Sequence, residues 1–468
     1  MRVKRHCQRG LDYSGSHLAL TNGYYAKYEA MSMVLSTTPE LVDLVHKDLA
    51  KVLESINGKG GGGRCHVFSS EQVLRVLVCQ VVEGLSLRSI VVRIDDSHFL
   101  RRFVSVDNGP MMDFTTLCKL KNAISAETWA KVNRCLAEAA VERKLIDGDK
   151  LRIDTTAVET NIHWPTDSSL LLDVYRVLAR LIEQAREVAP DAVGTGRVQL
   201  RRVKRLQQRI ARRAAQKGCA VDRLKSLYSR LIRKVEHIGQ WAEEVRQELV
   251  DRPRIADARG LVVAASIIAQ IEHYLGLSAR VIDQARRRVL DGESVPNEEK
   301  IFSIFEPHTE LLKRGKAGKD VEFGHMIQIQ QVASKFITDY DVFVKRPVEH
   351  ELVDSVLKSH RSLFGDHPEH LAADKGYYQS RQALAQLRKK ISVVSIAKKG
   401  GRTAAEVAAE DDSLFRHAQR FRAGVEGTIS FLKRVLRLAR CVNKGWTHFV
   451  TTVGQTIFAH NLLVLARC

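Results

Sequence analysis

The sequence predicts an α/β protein in which a strand-containing region follows a set of helices and is interrupted by a long helical insertion. One observation is the alternation of polar and apolar residues around β-branched side chains over 150–159, which is typical of a half-buried strand. Another is the recurrence of apolar residues every three or four positions through much of 70–145 and 168–290, which is typical of helices packed on one face. Strand-like patterns return after Pro296.

Length and charge bound the number of domains and the kind of partner. At 468 residues the chain is long enough for two or three compact units, at roughly 150 residues per domain. Lys and Arg number 74 against 54 Asp and Glu, a formal net charge of +20. Such an excess attracts a polyanion, most often nucleic acid, although soluble proteins of other classes share it.

Cysteine usage and hydropathy indicate where the protein works. The eight cysteines are scattered without a CxxC pair, which predicts reduced thiols rather than a zinc site or a disulfide framework. No uninterrupted apolar run reaches the ~18 residues of a membrane span. The N-terminal residues also lack the apolar core of a signal peptide. We therefore expect a soluble cytoplasmic protein with no membrane partner.

The N-terminal part is predicted to be a tail followed by a helical domain. Residues 1 to about 38 show no sustained periodicity, and the glycine-rich stretch 58–63 follows, so we expect 1–64 to be a tail and a flexible linker. The apolar stripe over 74–85 then predicts a helix capped by Ser69 or Ser70, and a further helix should begin near Ser125. Residues 65–146 are thus expected to form an all-α, DNA-binding domain, although they contain no helix-turn-helix consensus.

The insertion, residues 168–296, is predicted to be helical and strongly basic. Its first helix should begin after a cap within Thr166-Asp167-Ser168. Between 197 and 234 the sequence holds 14 Lys or Arg and one acid, Asp222. Apolar residues at helical spacing there suggest two helices, arranged as a hairpin with a basic outer face. That face is either a nucleic-acid contact or an ordinary solvated surface, and both interpretations stay open.

After Pro296 the order of the elements indicates a particular arrangement of the sheet. The predicted strands span 301–305, 325–332, 336–344, 371–374 and 391–396. The predicted helices among and after them span about 349–364, 379–389, 411–436 and 447–466. Three meander strands followed by alternating helix and strand are the ribonuclease-H-like arrangement. We therefore predict a ribonuclease-H-like domain formed by 147–167 and 297–440, with a C-terminal helix in 441–468.

Three acidic residues of this predicted domain are placed for metal-dependent phosphodiester chemistry. Two divalent ions ~3.5–4 Å apart need carboxylate ligands from several elements, because these cations prefer oxygen. Asp154 lies in the first strand, and Asp374 follows an apolar strand whose carboxyl end should lie beside it in the sheet. Glu426 lies in a helix packed beside them and shares a helix face with Arg422 and Lys433. Each residue alone is explained as well by a turn or a surface ion pair, and only their joint placement favours a site.

Four stretches resemble the motifs of bacterial insertion-sequence transposases with a DDE catalytic domain. These are 154–172 (DTTAVETNIHWPTDSSLLL), 301–326, 371–378 (LAADKGYY) and 422–433 (RAGVEGTISFLK). Residues 65–145 also resemble the N-terminal helical domain of that family. The resemblance therefore covers most of the chain from about 65 to 465.

The resemblance implies roles for the residues of the site. It implies that Asp154, Asp374 and Glu426 are catalytic and bind two Mg²⁺ ions, for which Mn²⁺ can substitute. It also implies that Arg422 and Lys433, from a Y-x2-R-x3-E-x6-K signature, contact DNA phosphate near the cut.

Further DNA contacts are predicted beside these motifs. Lys375 directly follows the second of the three acids, and the basic loop KKGGR contains Lys398, Lys399 and Arg402. For this loop, phosphate contact and a solvated turn are equally open. Gln419 occupies the position of the signature's Tyr, so the DNA contact of that Tyr does not carry over to this chain.

The function implied by the resemblance is transposition in a bacterial cytoplasm, at the nucleoid. The expected partner is double-stranded DNA, as terminal inverted repeats and as target, bound by a homodimer. Two alternatives remain open. One is a ribonuclease-H-like nuclease that cuts without joining, and the other is a catalytically inactive, basic DNA-binding regulator.

Overall fold

The computed structural model describes residues 18–57, 68–216, 221–251, 258–316 and 319–467. Within these ranges the protein is of the mixed α/β class and mostly helical, with a mixed sheet of seven strands. The predicted α/β class is confirmed. The chain divides into two compact units, one formed by 1–160 with 324–468 and the other by 161–323.

The helices and strands have the following bounds. The helices are α1 (Ala19–Thr37), α2 (Glu40–Asn57), α3 (Ser70–Val82), α4 (Leu87–Asp96), α5 (His98–Phe103), α6 (Phe114–Ala123), α7 (Ala126–Glu142), α8 (Asp167–Val188), α9 (Pro190–Val193), α10 (Leu200–Ala214), α11 (Val221–Asp251), α12 (Ala258–Ala285), α13 (Val353–Phe364), α14 (Arg381–Lys390), α15 (Ala404–Asp411), α16 (Ser413–Arg434) and α17 (Trp446–Leu465). The strands are β1 (Lys150–Thr160), β2 (Glu310–Lys316), β3 (Lys319–Val332), β4 (Ile337–Val342), β5 (His370–Ala373), β6 (Val393–Ile396) and β7 (Arg440–Cys441).

The sheet is organised around β1. This strand pairs antiparallel with β3 and parallel with β5, and β5 pairs parallel with β6. The strand order is β2-β3-β1-β5-β6, with β4 paired to β3 and β7 paired to β1. The first strand was expected to lie beside the strand that ends at Asp374. This is confirmed, because the register places Arg152 opposite Ala372.

Alternation along β1 directs its side chains to two faces of the sheet. Leu151 and Ile153 belong to an apolar cluster with residues of α13, β5 and β6. Helix α16 packs across β1, β5 and β6, and Arg152 donates a hydrogen bond from Nη1 to Phe421 O of this helix at 2.7 Å. Asp154 is two residues from Arg152 and therefore lies on the α16 face of β1.

The tail predicted at the N-terminus is wrong for the residues that the structure describes there. Helices α1 and α2 occupy this region, and Leu41, Val45 and Leu49 of α2 are fully buried. These side chains recur every four positions, which places them on one face of a helix. Polar residues lie between them in the sequence, so the helical period is hard to recognise when only a few residues are considered. The glycine-rich stretch 58–63 lies outside the described residues.

Helices α3–α7 fill the described part of the region that was predicted to be helical. The helix start predicted near Ser125 is confirmed, because α7 begins at Ala126 and Ser125 Oγ accepts a hydrogen bond from Thr128 N at 3.1 Å. The predicted cap at Ser69 or Ser70 is also confirmed, at Ser69. The apolar residues of these helices share one core with α1, α2 and α17 and with residues of β3 and β4. The N-terminal helices therefore pack on the part of the sheet formed by β3 and β4.

The second unit, 161–323, extends beyond the predicted insertion 168–296 at both ends. Helix α8 is capped by Thr166, which lies within the predicted capping segment, and it packs with α10, α11 and α12 around an apolar core. The two predicted basic helices are α10 and α11, and α11 continues to Asp251.

The strand predicted at 301–305 is wrong, because those residues form no strand. Ile301 and Ile304 are instead buried in the core of the second unit, and Ile301 N donates a hydrogen bond to Gln284 Oε1 at 2.8 Å. Burial of a loop against helices gives apolar residues the same spacing as a short strand. The strand that precedes β3 is β2, which is largely polar.

One helical segment of the described chain, Arg259–Leu290, is long and apolar enough to cross a membrane by length and composition. In its most apolar window 22% of the residues are buried. Core helices of soluble proteins pass the same test, so this segment is compatible with the predicted soluble protein.

Candidate active site

Asp154 lies in the middle of β1, and Asp374 directly follows the carboxyl end of the adjacent parallel strand β5. The last paired residues of β1 and β5 are Arg152 and Ala372, so the register continued by two residues brings the two aspartates side by side. The pKa of the Asp154 carboxyl is raised to about 6, first because the side chain is buried and then because Asp374 is negatively charged. The structure therefore brings together two of the three acids predicted from the sequence.

Backbone amides orient both aspartates. Thr155 N donates a hydrogen bond to Asp154 Oδ1 at 2.8 Å, and Gly376 N donates to Asp374 Oδ1 at 2.7 Å. Asp374 thereby caps the single 3-10 turn Lys375–Tyr377 that follows β5. These bonds hold one oxygen of each carboxylate, so the direction of both groups is set by the main chain.

Glu426 reaches the site through Arg422, which lies one turn earlier on α16. Arg422 Nη2 contacts Glu426 Oε1 at 3.1 Å, and Arg422 Nη1 lies 3.9 Å from Asp154 Oδ2. The Glu426 side chain is 66% exposed, whereas that of Asp154 is 17% exposed. In this conformation the guanidinium stands between the two carboxylates, and Glu426 lies at the edge of the site.

Gln419 anchors α16 to the ends of β5 and β6. Its Nε2 donates hydrogen bonds to Ser395 O at 2.8 Å and to Ala373 O at 3.3 Å. Ala373 directly precedes Asp374, so this amide ties the helix to the backbone beside the site. The residue that departs from the transposase signature thus has a structural contact of its own.

Arg152 and Gly424 form a second attachment of α16 to the sheet. Arg152 is 4% exposed and donates from Nε to Gln331 Oε1 at 2.8 Å, in addition to its bond to Phe421 O. A Cβ atom built on Gly424 would lie 2.2 Å from Arg152 Nη1. The absence of a side chain at this position is therefore what lets the helix approach β1.

Glu349 is a further acid near the site, and the sequence pattern does not single it out. Its Oε1 accepts a hydrogen bond from Thr155 Oγ1 at 2.6 Å, and its charge contributes to the raised pKa of Asp154. A Cβ atom on Gly376 would lie 1.9 Å from Glu349 Oε2, so this carboxylate also abuts the turn after Asp374. Glu349 is 194 residues from Thr155 in a 3-10 turn without periodicity. The one sequence feature that could have pointed to Glu349 is Gly376, because a glycine often marks a place where another group approaches the backbone closely. The sequence does not tell which residue approaches it.

Tyr377 is close enough to Asp154, Glu349 and Asp374 for their charges to act on its hydroxyl. It is buried, and Gln328 Nε2 of β3 donates a hydrogen bond to its hydroxyl at 3.3 Å. Burial, followed by the charges of the nearby acids, raises the pKa of the Tyr377 hydroxyl well above its usual value. The hydroxyl therefore stays neutral at physiological pH.

The predicted basic contacts lie in different settings. Lys398 Nζ contacts Glu406 Oε2 and Arg402 Nη1 contacts Glu410 Oε2, both at 2.8 Å. Two acids of α15 therefore already pair with the basic loop KKGGR. Lys399 and Lys375 are exposed, the latter directly after Asp374. Lys433 is half-buried in the last turn of α16.

The aspartate pair suits a divalent cation, but the complete three-acid set does not form in this conformation. Within the described residues, no group of three or more His, Cys, Asp or Glu is arranged to hold a metal ion. Asp154 and Asp374 offer hard oxygen donors in a partly buried position. The raised pKa of Asp154 follows first from its burial and then from the negative charge of Asp374. Glu426 would join them only after its carboxylate leaves Arg422.

Comparisons of this chain with family models, with curated proteins and with solved structures found no match. The chain therefore takes no family assignment from similarity. What bears on its function is the geometry around Asp154 and Asp374, together with the motifs in which these residues lie.

Proposed function

We propose that this chain is a metal-dependent DNA transposase that cuts DNA at the ends of a mobile element and joins the ends to target DNA. The observation that carries the proposal is the placement of Asp154, on β1, beside Asp374, which directly follows the parallel strand β5. Asp154 begins one of the stretches that resemble the transposase motifs, and Asp374 lies within another. The helix that carries Glu426 packs across the same strands.

The topology of the first unit supports a ribonuclease-H-like catalytic domain. Antiparallel β3 and β4 lie on one side of β1, and parallel β5 and β6 lie on the other. The helical unit enters directly after β1, as an insertion after the first strand requires. On this proposal, helices within 65–146 contribute the DNA-binding part of the protein.

The proposed cofactor is a pair of Mg²⁺ ions, replaceable by Mn²⁺. When bound, such ions lower the pKa of a water or 3′-hydroxyl nucleophile and stabilise the departing 3′-oxygen. Asp154 and Asp374 would hold them through the oxygens that the main chain orients, and Glu426 would supply the third carboxylate. Arg422, once separated from Glu426, presents a planar guanidinium that suits two oxygens of a phosphate. Lys375 and Lys433 are proposed to contact the DNA backbone nearby.

The proposed partners are duplex DNA in two forms, the terminal inverted repeats and the target. Assembly as a homodimer on DNA and a location in the bacterial cytoplasm, at the nucleoid, belong to the same proposal. The formal charge of +20 supports binding to a polyanion.

The test is cleavage and joining of a DNA carrying the element's ends, in Mg²⁺ or Mn²⁺. Asp154→Asn, Asp374→Asn and Glu426→Gln are expected to abolish cleavage and to leave DNA binding largely intact. Glu369→Gln is the matched control, because this exposed acid immediately precedes β5. Full cleavage by any of the three variants would remove that residue from the site.

Pre-cleaved ends separate the proposal from its first alternative, a nuclease. A transposase joins such ends to target DNA, whereas a nuclease without strand transfer does not. The contact between Arg422 and Glu426 favours a second alternative, an inactive DNA-binding regulator. In that contact the Glu426 carboxylate pairs with Arg422 and is not available to a metal ion. Unchanged activity of the Asp374→Asn variant in every assay would support that alternative.

A further inference from the structure

We infer that a groove between α10 and α11 binds the sugar-phosphate backbone of duplex DNA without reading its sequence. The inference rests on the proposed function only to the extent that the chain is a DNA-binding protein. Among the residues that the structure describes, no acid lines the groove. Its walls carry five arginines and a lysine: Arg202, Arg205, Arg209, Arg212, Arg230 and Lys234.

The spacing of the cations on α10 matches the repeat of a DNA backbone. Residues 202, 205, 209 and 212 follow one another at three or four positions, so they form a row on one helix face. At 1.5 Å per residue the row is roughly 15 Å long. One DNA strand carries a phosphate about every 3.4 Å along the helix axis, so the row spans about four phosphates.

The scaffold beneath the cations is rigid. Val203 and Ile210 of α10 are fully buried in the core of the second unit, and Leu206 is half-buried in the floor of the groove. Arg230 and Lys234, four residues apart on α11, form the facing wall. The positions of the charges are therefore set by packing before any partner arrives.

Charge balance distinguishes this groove from the rest of the unit. Elsewhere in the unit several arginines pair with acids, as Arg186 does with Glu183, Arg246 with Glu243, and Arg287 with Glu293. For the six groove cations the described residues provide no ion pair, and Lys234 Nζ contacts only the neutral Gln199 Oε1 at 3.2 Å. An ordinary solvated surface would mix acids among its cations as the remaining surface does.

The chemistry of the lining favours backbone contact over base recognition. Arginine forks and lysine ammonium groups on a helical surface neutralise phosphates, and such contacts position a protein without reading sequence. Sequence recognition by the chain would therefore lie elsewhere. Binding at the groove should be strongly salt-dependent, because each neutralised phosphate releases counterions.

The test compares two double variants with the same change in charge. Arg205→Glu with Arg209→Glu alters the groove, and Arg180→Glu with Arg280→Glu alters two exposed arginines of the same unit outside it. Each substitution changes the charge by −2, so both variants fall from +20 to +16. Circular dichroism and thermal unfolding confirm that both are folded.

Binding is measured by fluorescence anisotropy with a labelled 30-base-pair duplex of arbitrary sequence, over a series of KCl concentrations. For the groove variant we expect at least tenfold weaker binding. The slope of log affinity against log salt should also fall by about 1.8, which is 0.9 for each of two lost phosphate contacts. The control variant should lose less than threefold and keep its slope.

Equal losses in both variants, or no loss in the groove variant, would overturn the inference. So would a loss of binding to polyglutamate with unchanged binding to the duplex, because that result assigns the groove to an acidic polypeptide. The assay needs no cleavage. A wild-type chain that binds through the groove but never cuts DNA would therefore refute the proposed function and leave this inference standing.

Discussion

Arg422 contacts Glu426 at 3.1 Å (Nη2 to Oε1), one turn apart on α16. The same guanidinium lies 3.9 Å from Asp154. A single positive group thus stands where the proposed cations would be shared among the acids. It partly balances the site's negative charge and holds Glu426 away from the aspartates.

Replacing Arg422 with Gln should therefore strengthen divalent binding while it weakens catalysis. Removal of the cation frees Glu426 and leaves more negative charge around Asp154, so we expect the affinity for Mn²⁺ to rise several-fold. DNA cleavage should fall, because the phosphate contact proposed for Arg422 is lost. Electron paramagnetic resonance of free Mn²⁺ measures the affinity, and Arg416→Gln, on an exposed part of α16, is the control. A lower Mn²⁺ affinity in Arg422→Gln would show that Arg422 does not compete with the ions.

The raised pKa of Asp154 predicts that this acid costs stability in the metal-free protein. Its folded-state pKa is about 6, against an ordinary value of 3.8. The ionised form is disfavoured by folding, so the cost is complete above pH 6 and disappears as the pH falls below about 4. A difference of about two pKa units corresponds to roughly 3 kcal/mol.

Asp154→Asn should accordingly raise the free energy of unfolding by about 1–3 kcal/mol at pH 7.5, and much less at pH 4. Urea denaturation at both pH values, in the presence of a chelator, measures the effect. Asp366→Asn, in the loop before β5, should show no such dependence. If Asp154→Asn destabilised the protein equally at both pH values, the carboxyl group would contribute mainly through its hydrogen bond. Its buried negative charge would then not lower the stability of the folded state.

The residues whose roles follow from local pattern were predictable. Asp154 and Asp374 lie on a strand and at a strand end that show in the sequence, and parallel pairing of neighbouring strands then brings them together. The caps at Ser69 and at Thr166 were predictable to within one or two residues, because a cap depends on residues within one helical turn.

The features that sequence analysis missed depend on distant partners. Ile301 and Ile304 resembled a strand because burial against helices selects the same apolar residues. Glu349 has its contacts with Thr155 and the turn at Gly376, and neither lies near it in the chain. No periodicity reports such an approach, so it becomes visible only in three dimensions.

Glu349→Gln should weaken divalent binding without unfolding the protein. The amide can still accept the hydrogen bond from Thr155, but a negative charge is lost beside Asp154. We expect several-fold weaker Mn²⁺ binding, with thermal stability changed little or increased. Glu351→Gln, in the same 3-10 turn, is the control. Mn²⁺ affinity equal to that of the wild type would restrict Glu349 to a structural role.

Two glycines of α16 provide a matched test of how closely this helix must approach β1. Alanine usually stabilises an exposed helix position by about 0.5–1 kcal/mol relative to glycine. At Gly427 a Cβ atom would meet nothing within 4 Å, so Gly427→Ala should give that gain.

At Gly424 the same Cβ would lie 2.2 Å from Arg152 Nη1, which is buried and bonded to Gln331 and Phe421. The guanidinium must move or the helix must lift from the sheet, and we expect Gly424→Ala to cost about 1–3 kcal/mol as overpacking does. Chemical denaturation of both variants gives the difference, and cleavage assays should show a loss for Gly424→Ala alone, since lifting α16 displaces Arg422 and Glu426. Equal stabilisation by both substitutions would mean that α16 tolerates a larger separation from β1 than this packing implies.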